Sequence, residues 1–195
     1  MIAAIPTHHE DVRAVGHAVV DLLWQKPDQI DMEVWLGLGS NLQQPAAQLR
    51  RALKELMETK GIELTKVSSF YSTPPWGDQE QGDFVNAVAQ IETSLEPLPL
   101  LHVVHSIENL MGRERSDRRW GPRLIDIDLL LYADHVIYEA ELEIPHPRMH
   151  ERAFVLLPLC ELDETLKIPG RGRVDVLLSG INCNGISRLA SGDPE

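Results

Sequence analysis

The chain has 195 residues, 43% of them apolar and 25% charged, which suits one soluble domain with its own core, and with no internal repeat or low-complexity segment nothing in it supports a solenoid or a disordered array. Its formal charge of −12 argues against a general nucleic-acid binder, and no apolar run approaches the ~20 residues that span a bilayer. "MIAAIPTHHEDVRAV" lacks the basic start and unbroken apolar stretch of a signal peptide, and a chain of this size needs no bridge between Cys160 and Cys183, so a reducing cytoplasm is expected.

Residues 1–31 stand apart as an N-terminal extension, helical on the spacing of Val12, Val15, Val19, Leu22 and Leu23, and residues 32–195 are expected to hold the main domain. Val34 to Leu38 reads as a strand ended by "GLGSN". Pro45 to Glu58 follows as a helix with Leu49, Ala52, Leu53, Leu56 and Met57 on its apolar stripe and Gly61 just beyond. Ile62 to Tyr71 and Phe84 to Glu92 read as strands separated by the Pro/Gly-punctuated "STPPWGDQEQGD". Pro97 to Met111 carries Leu100, Leu101, Val104, Ile107, Leu110 and Met111 on one stripe, a helix stopping at Gly112, and Leu124 to Tyr132 is a fourth strong strand. The order β-α-β-β-α-β predicts an α+β, ferredoxin-like unit with an antiparallel sheet and both helices on one face. A hairpin over Val136 to Ile144, a helix through about Leu162 and further C-terminal elements remain to cover the other face.

The chemistry concentrates in "RWGPRLIDIDLLLY". Strand alternation puts Ile125, Ile127, Leu129 and Leu131 on one face and Asp126 and Asp128 on the other, with the aspartate Cα atoms ~6.6 Å apart. Two carboxylates so placed repel each other unless a cation lies between them, and hard oxygen donors suit Mg²⁺. A lone D-x-D is as easily a solvated pair, but Arg113, Arg115, Arg118, Arg119 and Arg123 put five forked donors into eleven residues beside it, which describes a nucleotide phosphate site. "GLGSN" lacks both dinucleotide and P-loop spacing and by itself is a tight turn. Phe84 and Asn86 face the same way on their strand, a ring beside a carboxamide able to hold a flat heterocycle, with Phe154 as a candidate opposing ring, although a phenylalanine in such a place is more often simply core. His146, between two prolines, is held in a rigid turn from which it could donate to a phosphate, although a lone surface histidine is the commoner case.

Together the segments "GLGSNL", "VSSFYSTPPWG", "FVNAVAQIETSL", "IENLMGRERSDRRWGPRLIDIDLLLY" and "IPHPRMHERAFVLLPLCEL" resemble the 6-hydroxymethyl-7,8-dihydropterin pyrophosphokinase family from Val34 to about Leu166. The resemblance implies transfer of the β,γ-diphosphoryl group of ATP to the pterin hydroxymethyl oxygen, with release of AMP, by a monomer acting on small molecules only. It implies two Mg²⁺ ions on Asp126 and Asp128, phosphate contacts from Arg113, Arg115, Arg123, His146 and Arg152, and a nucleotide side formed by Glu108 and Leu129. Phe84 and Phe154 match the pair that sandwiches the pterin, Asn86 the residue reading its polar edge, Thr73, Pro74 and Trp76 the pocket border, and Trp120 a residue sealing the closed site. Phe84 stands where tyrosine is common, and Ser116, Glu141 and Glu143 stand where basic or hydroxylated residues often hold the nucleotide. A D-x-D nucleotidyl or glycosyl transferase would leave the aromatic pair unexplained. An RNA-binding ferredoxin-like module would need a basic sheet face, which the charge and the paired aspartates oppose.

Overall fold

The computed structural model describes residues 31–75, 81–112 and 122–190. Its strands are β1 (Met32–Ser40), β2 (Ile62–Val67), β3 (Tyr71–Thr73), β4 (Phe84–Thr93) and β5 (Asp126–Tyr132), with helices α1 (Pro45–Glu58) and α2 (Pro97–Leu110) between them. After β5 come a small hairpin, β6 (Ile137–Tyr138) and β7 (Glu143–Ile144), a 3₁₀ turn at Met149–Glu151 and helix α3 (Ala153–Leu162). A second hairpin, β8 (Lys167–Ile168) and β9 (Gly172–Arg173), helix α4 (Val174–Ser179) and β10 (Ser187–Arg188) complete the described chain. The main sheet runs β10-β3-β4-β1-β5, with β2 also on β4, and every pairing in it is antiparallel. This is the ferredoxin-like order expected from the sequence.

Both amphipathic helices bury their stripes on one sheet face: Leu49, Ala52, Leu53 and Leu56 of α1 and Leu100, Leu101, Val104 and Ile107 of α2 meet Val34, Leu36, Ala89 and Ile91. Met57, expected on that stripe, faces solvent, because Leu56 already fills the inward position of that turn. The other face is covered by α3 and α4, where Val155, Leu156, Leu159 and Val174 pack on Trp35, Val88, Leu130 and Leu131. Among the described residues no helix is long and apolar enough to cross a membrane.

Three differences from the expected elements shape the functional end. The expected strand over Ile62 to Tyr71 is broken into β2 and β3, because the Ser68 hydroxyl, rather than a main-chain carbonyl, accepts the Val88 N–H at 3.0 Å. "GLG" is not a turn: β1 continues through it to Ser40, and its glycines are strand residues paired on both sides. Third, β5 carries a bulge. Leu129 pairs with Leu36 but Leu131 with Trp35, which leaves Leu130 as the extra residue. The bulge turns Leu131 onto the α3 face with Leu130, while Ile125, Ile127 and Leu129 stay with the helices, so the expected four-residue stripe ends at Leu129. It also turns out the Leu130 carbonyl, which accepts the His146 N–H at 2.9 Å and docks the turn after β7 beside Asp128.

Candidate active site

Directly opposite residues of an antiparallel pair share a face, so the register defines the site. Gly39 lies between Asn86 of β4 and Asp126 of β5, and Gly37 between Val88 and Asp128. Asp126 and Asp128 therefore look across a strip of bare backbone toward Asn86 and Phe84, on the sheet face that α3 leaves open. A Cβ on Gly39 would stand 3.0 Å from Asn86 Oδ1, so the glycine is what lets the carboxamide lie over the strand. Asn86 is buried and donates from Nδ2 to Thr73 Oγ1 at 2.8 Å, which fixes its orientation and directs Oδ1 into the cleft.

The cleft encloses about 780 Å³, open mouth included, and is lined by Gly37, Gly39, Thr73, Pro74, Phe84, Asn86, Arg123, Asp126, Asp128, Arg152 and Phe154, with Leu38, Ala87, Leu130 and Val155 beneath. Nine of the residues expected from the sequence are in that set. A second, more polar cleft of about 830 Å³ adjoins it, lined by Leu129, His146, Leu101, His105 and the hairpin carboxylates Glu139, Glu141 and Glu143. Asp126 and Asp128 border both clefts. One compartment presents two phenylalanines and a carboxamide, the other polar groups, and the two carboxylates stand on the ridge between them.

Cationic groups converge on that ridge. Arg123 Nη1 pairs with Asp126 Oδ2. Arg152 Nη1 lies 3.7 Å from Asp128 Oδ2, and its guanidinium sits 5.6 Å above the Phe154 ring. The Arg152 side chain is 11% exposed, and its Nε has no hydrogen-bond partner among the described residues. A buried guanidinium with an unsatisfied donor is costly unless an anion completes it, so the arrangement suits a phosphate oxygen. Burial lowers the Arg152 pKa, Asp128 partly offsets the shift, and Arg152 stays a cation at neutral pH. His146 is different: burial first, then the neighbouring Arg152 charge, lowers its pKa to about 4, so it is neutral at pH 7. Its Nδ1 accepts the Arg148 N–H at 3.2 Å, which leaves the ring proton on Nε2, 3.9 Å from Asp128 Oδ2. His146 thus offers a neutral N–H donor at the ridge.

Glu108 lies under the site. At 1% exposure, its Oε1 accepts the Ile127 N–H at 2.8 Å, pinning the residue between the two aspartates to α2. Trp76, Arg113, Arg115, Ser116 and Trp120 lie outside the described residues. The sequence reading missed Asn41, the last letter of "GLGSN". Its Oδ1 accepts the Arg123 N–H at 2.7 Å and its own N–H donates to the Arg123 carbonyl at 3.1 Å, while Nδ2 donates to Gln81 Oε1 at 3.0 Å and to the Gly82 carbonyl at 3.5 Å. One buried amide thereby joins the entry to β4 and the entry to β5. A short polar residue directly after a strand was the available signal.

Asp126 and Asp128 present two hard carboxylate donors on one strand face, a set that suits an oxygen-seeking cation whose remaining ligands are water and phosphate. Mg²⁺ fits that description.

A family profile described as 7,8-dihydro-6-hydroxymethylpterin-pyrophosphokinase matches residues 35–164. The Haemophilus influenzae 2-amino-4-hydroxy-6-hydroxymethyldihydropteridine pyrophosphokinase is 48% identical over 135 residues, 69% of this chain and 84% of that protein. A protein of the same name from Methylorubrum extorquens is 46% identical over 155 residues, 80% of this chain and 97% of that one. The crystal structure of wild-type Plasmodium falciparum HPPK-DHPS with pteroate superimposes with a TM-score of 0.64 at 16% identity over 78% of this chain. That likeness speaks for the fold, and the present chain spans 45% of that longer one.

Proposed function

The chain belongs to the 7,8-dihydro-6-hydroxymethylpterin-pyrophosphokinase family, and on that premise we propose that it transfers the diphosphoryl group of ATP to 6-hydroxymethyl-7,8-dihydropterin, giving AMP and the pterin diphosphate for folate biosynthesis. The observation that carries the reading to individual residues is the position of Asp126 and Asp128 on the ridge shared by an aromatic and a polar cleft. The pterin ring lies in the first, between Phe84 and Phe154, with Asn86 Oδ1 accepting from its polar edge and Thr73 and Pro74 forming the wall. ATP lies in the second, its triphosphate crossing the ridge.

The pterin hydroxymethyl oxygen attacks the β-phosphorus, the bond from that phosphorus to the oxygen bridging it to the α-phosphate breaks, AMP leaves with that oxygen, and the hydroxyl proton is released to solvent. Asp126 and Asp128 are the ligands we assign to two Mg²⁺ ions, which supply charge neutralisation of the triphosphate when bound. Arg123 and Arg152 donate to phosphate oxygens, and His146 donates its Nε2 proton as a neutral hydrogen-bond partner. The work of these residues is positioning and electrostatic stabilisation, with no covalent intermediate on the protein. Arg113, Arg115 and Trp120 complete the phosphate clamp and the seal in this proposal, and Trp76 the pocket border. Glu108, through Ile127, and Leu129 belong to the nucleotide side. Residues 32–195 form the enzymatic domain, a cytoplasmic monomer, with 1–31 as an appendage.

Phosphorus NMR of ATP, Mg²⁺ and the pterin with the purified protein tests the reaction, with controls lacking pterin and containing EDTA. AMP and a pterin diphosphate should appear only in the complete mixture. Intact ATP, or ADP as product, would overturn the proposal.

A further inference from the structure

The wall of the aromatic cleft formed by Thr73 and Pro74 hangs on β3, a strand of three residues. One edge of β3 pairs with β4, placing Thr73 opposite Phe84 and Tyr71 opposite Asn86. The other edge is occupied by the C-terminal segment, which lies beyond the 35–164 family match. In it β10 sets Ser187 against Ser72 and Arg188 against Tyr71, and the Leu189 N–H donates to the Phe70 carbonyl at 2.8 Å. The same segment is tied to α3: Arg188 Nη2 reaches Glu161 Oε1 at 3.1 Å. That carboxylate also accepts from Ser69 N and Oγ at 3.0 and 2.7 Å and from the Tyr71 hydroxyl at 2.8 Å. Before β10, Gly185 turns at φ +81° directly against Pro74, where a Cβ would stand 3.2 Å from Cγ and 3.4 Å from Cδ of the proline ring.

We infer that residues 183–189 form a strap that positions the pterin-side wall, with Gly185 setting how far Pro74 projects into the cleft. The reason is geometric. A three-residue strand paired on one edge has few bonds to hold its end, and the strap supplies the second edge and a backbone stop behind the proline. Gly185 lines neither cleft and acts on pterin binding as a positioning residue, through Pro74. The inference rests on the reading of the aromatic cleft as the pterin subsite.

The test compares Gly185→Ala with Gly170→Ala in the full chain. Both glycines have left-handed φ, +81° and +71°, so either alanine carries backbone strain, but nothing lies within 4 Å of a Cβ on Gly170. Wild-type turnover, read as AMP released only when pterin is present, is measured first, and its failure would refute the underlying reading rather than the strap. Given wild-type turnover, Gly185→Ala should raise the pterin KM about five-fold or more with ATP KM unchanged, while Gly170→Ala leaves both at wild type. In a Pro74→Ala background, which lacks the Cγ and Cδ atoms, Gly185→Ala should add nothing further to the pterin KM. A wild-type pterin KM in Gly185→Ala, or an equal rise in Gly170→Ala, overturns the inference. Should Gly185→Ala not yield folded protein, Arg188→Glu sets two like charges at Glu161 and loosens the same strap; a raised pterin KM with constant ATP KM supports the role, and no change refutes it.

Discussion

Gly39→Ala places one methyl group at what we propose is the pterin end of the cleft, and the structure sets opposing effects against each other there. Glycine inside a strand is worse than alanine by about 0.5–1 kcal/mol of backbone entropy, so the substitution by itself favours the fold. The new methyl, however, stands 3.0 Å from Asn86 Oδ1, inside the 3.5–4.0 Å at which dispersion contacts are most favourable. The carboxamide has to give way, and it is anchored by the 2.8 Å bond from Nδ2 to Thr73 Oγ1. Weakening that buried bond costs about 0.5–1.5 kcal/mol, and misaiming Oδ1 forfeits a similar contribution to pterin binding. Only the binding loss, about 0.5–1.5 kcal/mol, enters the KM, since the Thr73 bond is weakened in free and bound protein alike, and it corresponds to roughly a 2- to 13-fold rise in the pterin KM, with ATP affinity little changed. Gly37→Ala is the control, because its methyl meets the flexible end of Leu130 at 3.3 Å and should cost less than about 1.5 kcal/mol. Initial rates of AMP release at saturating ATP and varied pterin measure both. A pterin KM for Gly39→Ala within about two-fold of wild type would refute the claim that the bare glycine holds the carboxamide in place.

Asp126→Ala and Asp128→Ala should each reduce turnover on the order of 10³-fold or more while the melting temperature moves by only a few degrees, since neither carboxylate belongs to the buried core; near-normal rates in either variant would sink the metal assignment. Asn41→Asp keeps the acceptor for the Arg123 N–H but loses the donors to Gln81 and Gly82, whereas Asn41→Ala loses all three. Steady-state kinetics should therefore show a graded loss, Ala worse than Asp, and equal losses would mean that the Arg123 bond contributes nothing. For His146 the folded pKa of about 4 lies below the unfolded value of 6.5, so the unfolded chain binds more protons between the two. Stability from this group is complete above about pH 6.5 and declines as pH falls toward 4, by up to about 3 kcal/mol. Denaturant titrations of wild type and His146→Asn without Mg²⁺ should diverge across that window, and parallel curves would show that the histidine is not held neutral.

The features legible in the sequence are those with a local period. Asp126 and Asp128 share a face because side chains alternate along any strand, and the stripes of α1 and α2 follow from 3.6 residues per turn. The order of six such elements limits the sheet to few topologies, and the long arginine-to-aspartate segment carries the family. What the tertiary structure decided involves partners distant in the chain. Leu131 changes face because the β5 bulge is defined only against Trp35 and Leu36 of β1. The strand expected over Ile62 to Tyr71 breaks because a Ser68 hydroxyl finds Val88, twenty residues on. Asn41 acquires its role only when Arg123, 82 residues away, is folded against it. Gly185 gains significance only once β10 has brought it to Pro74. Periodicity constrains which way a side chain points, but which groups it meets depends on strand register and packing, which are properties of the closed sheet rather than of any segment within it.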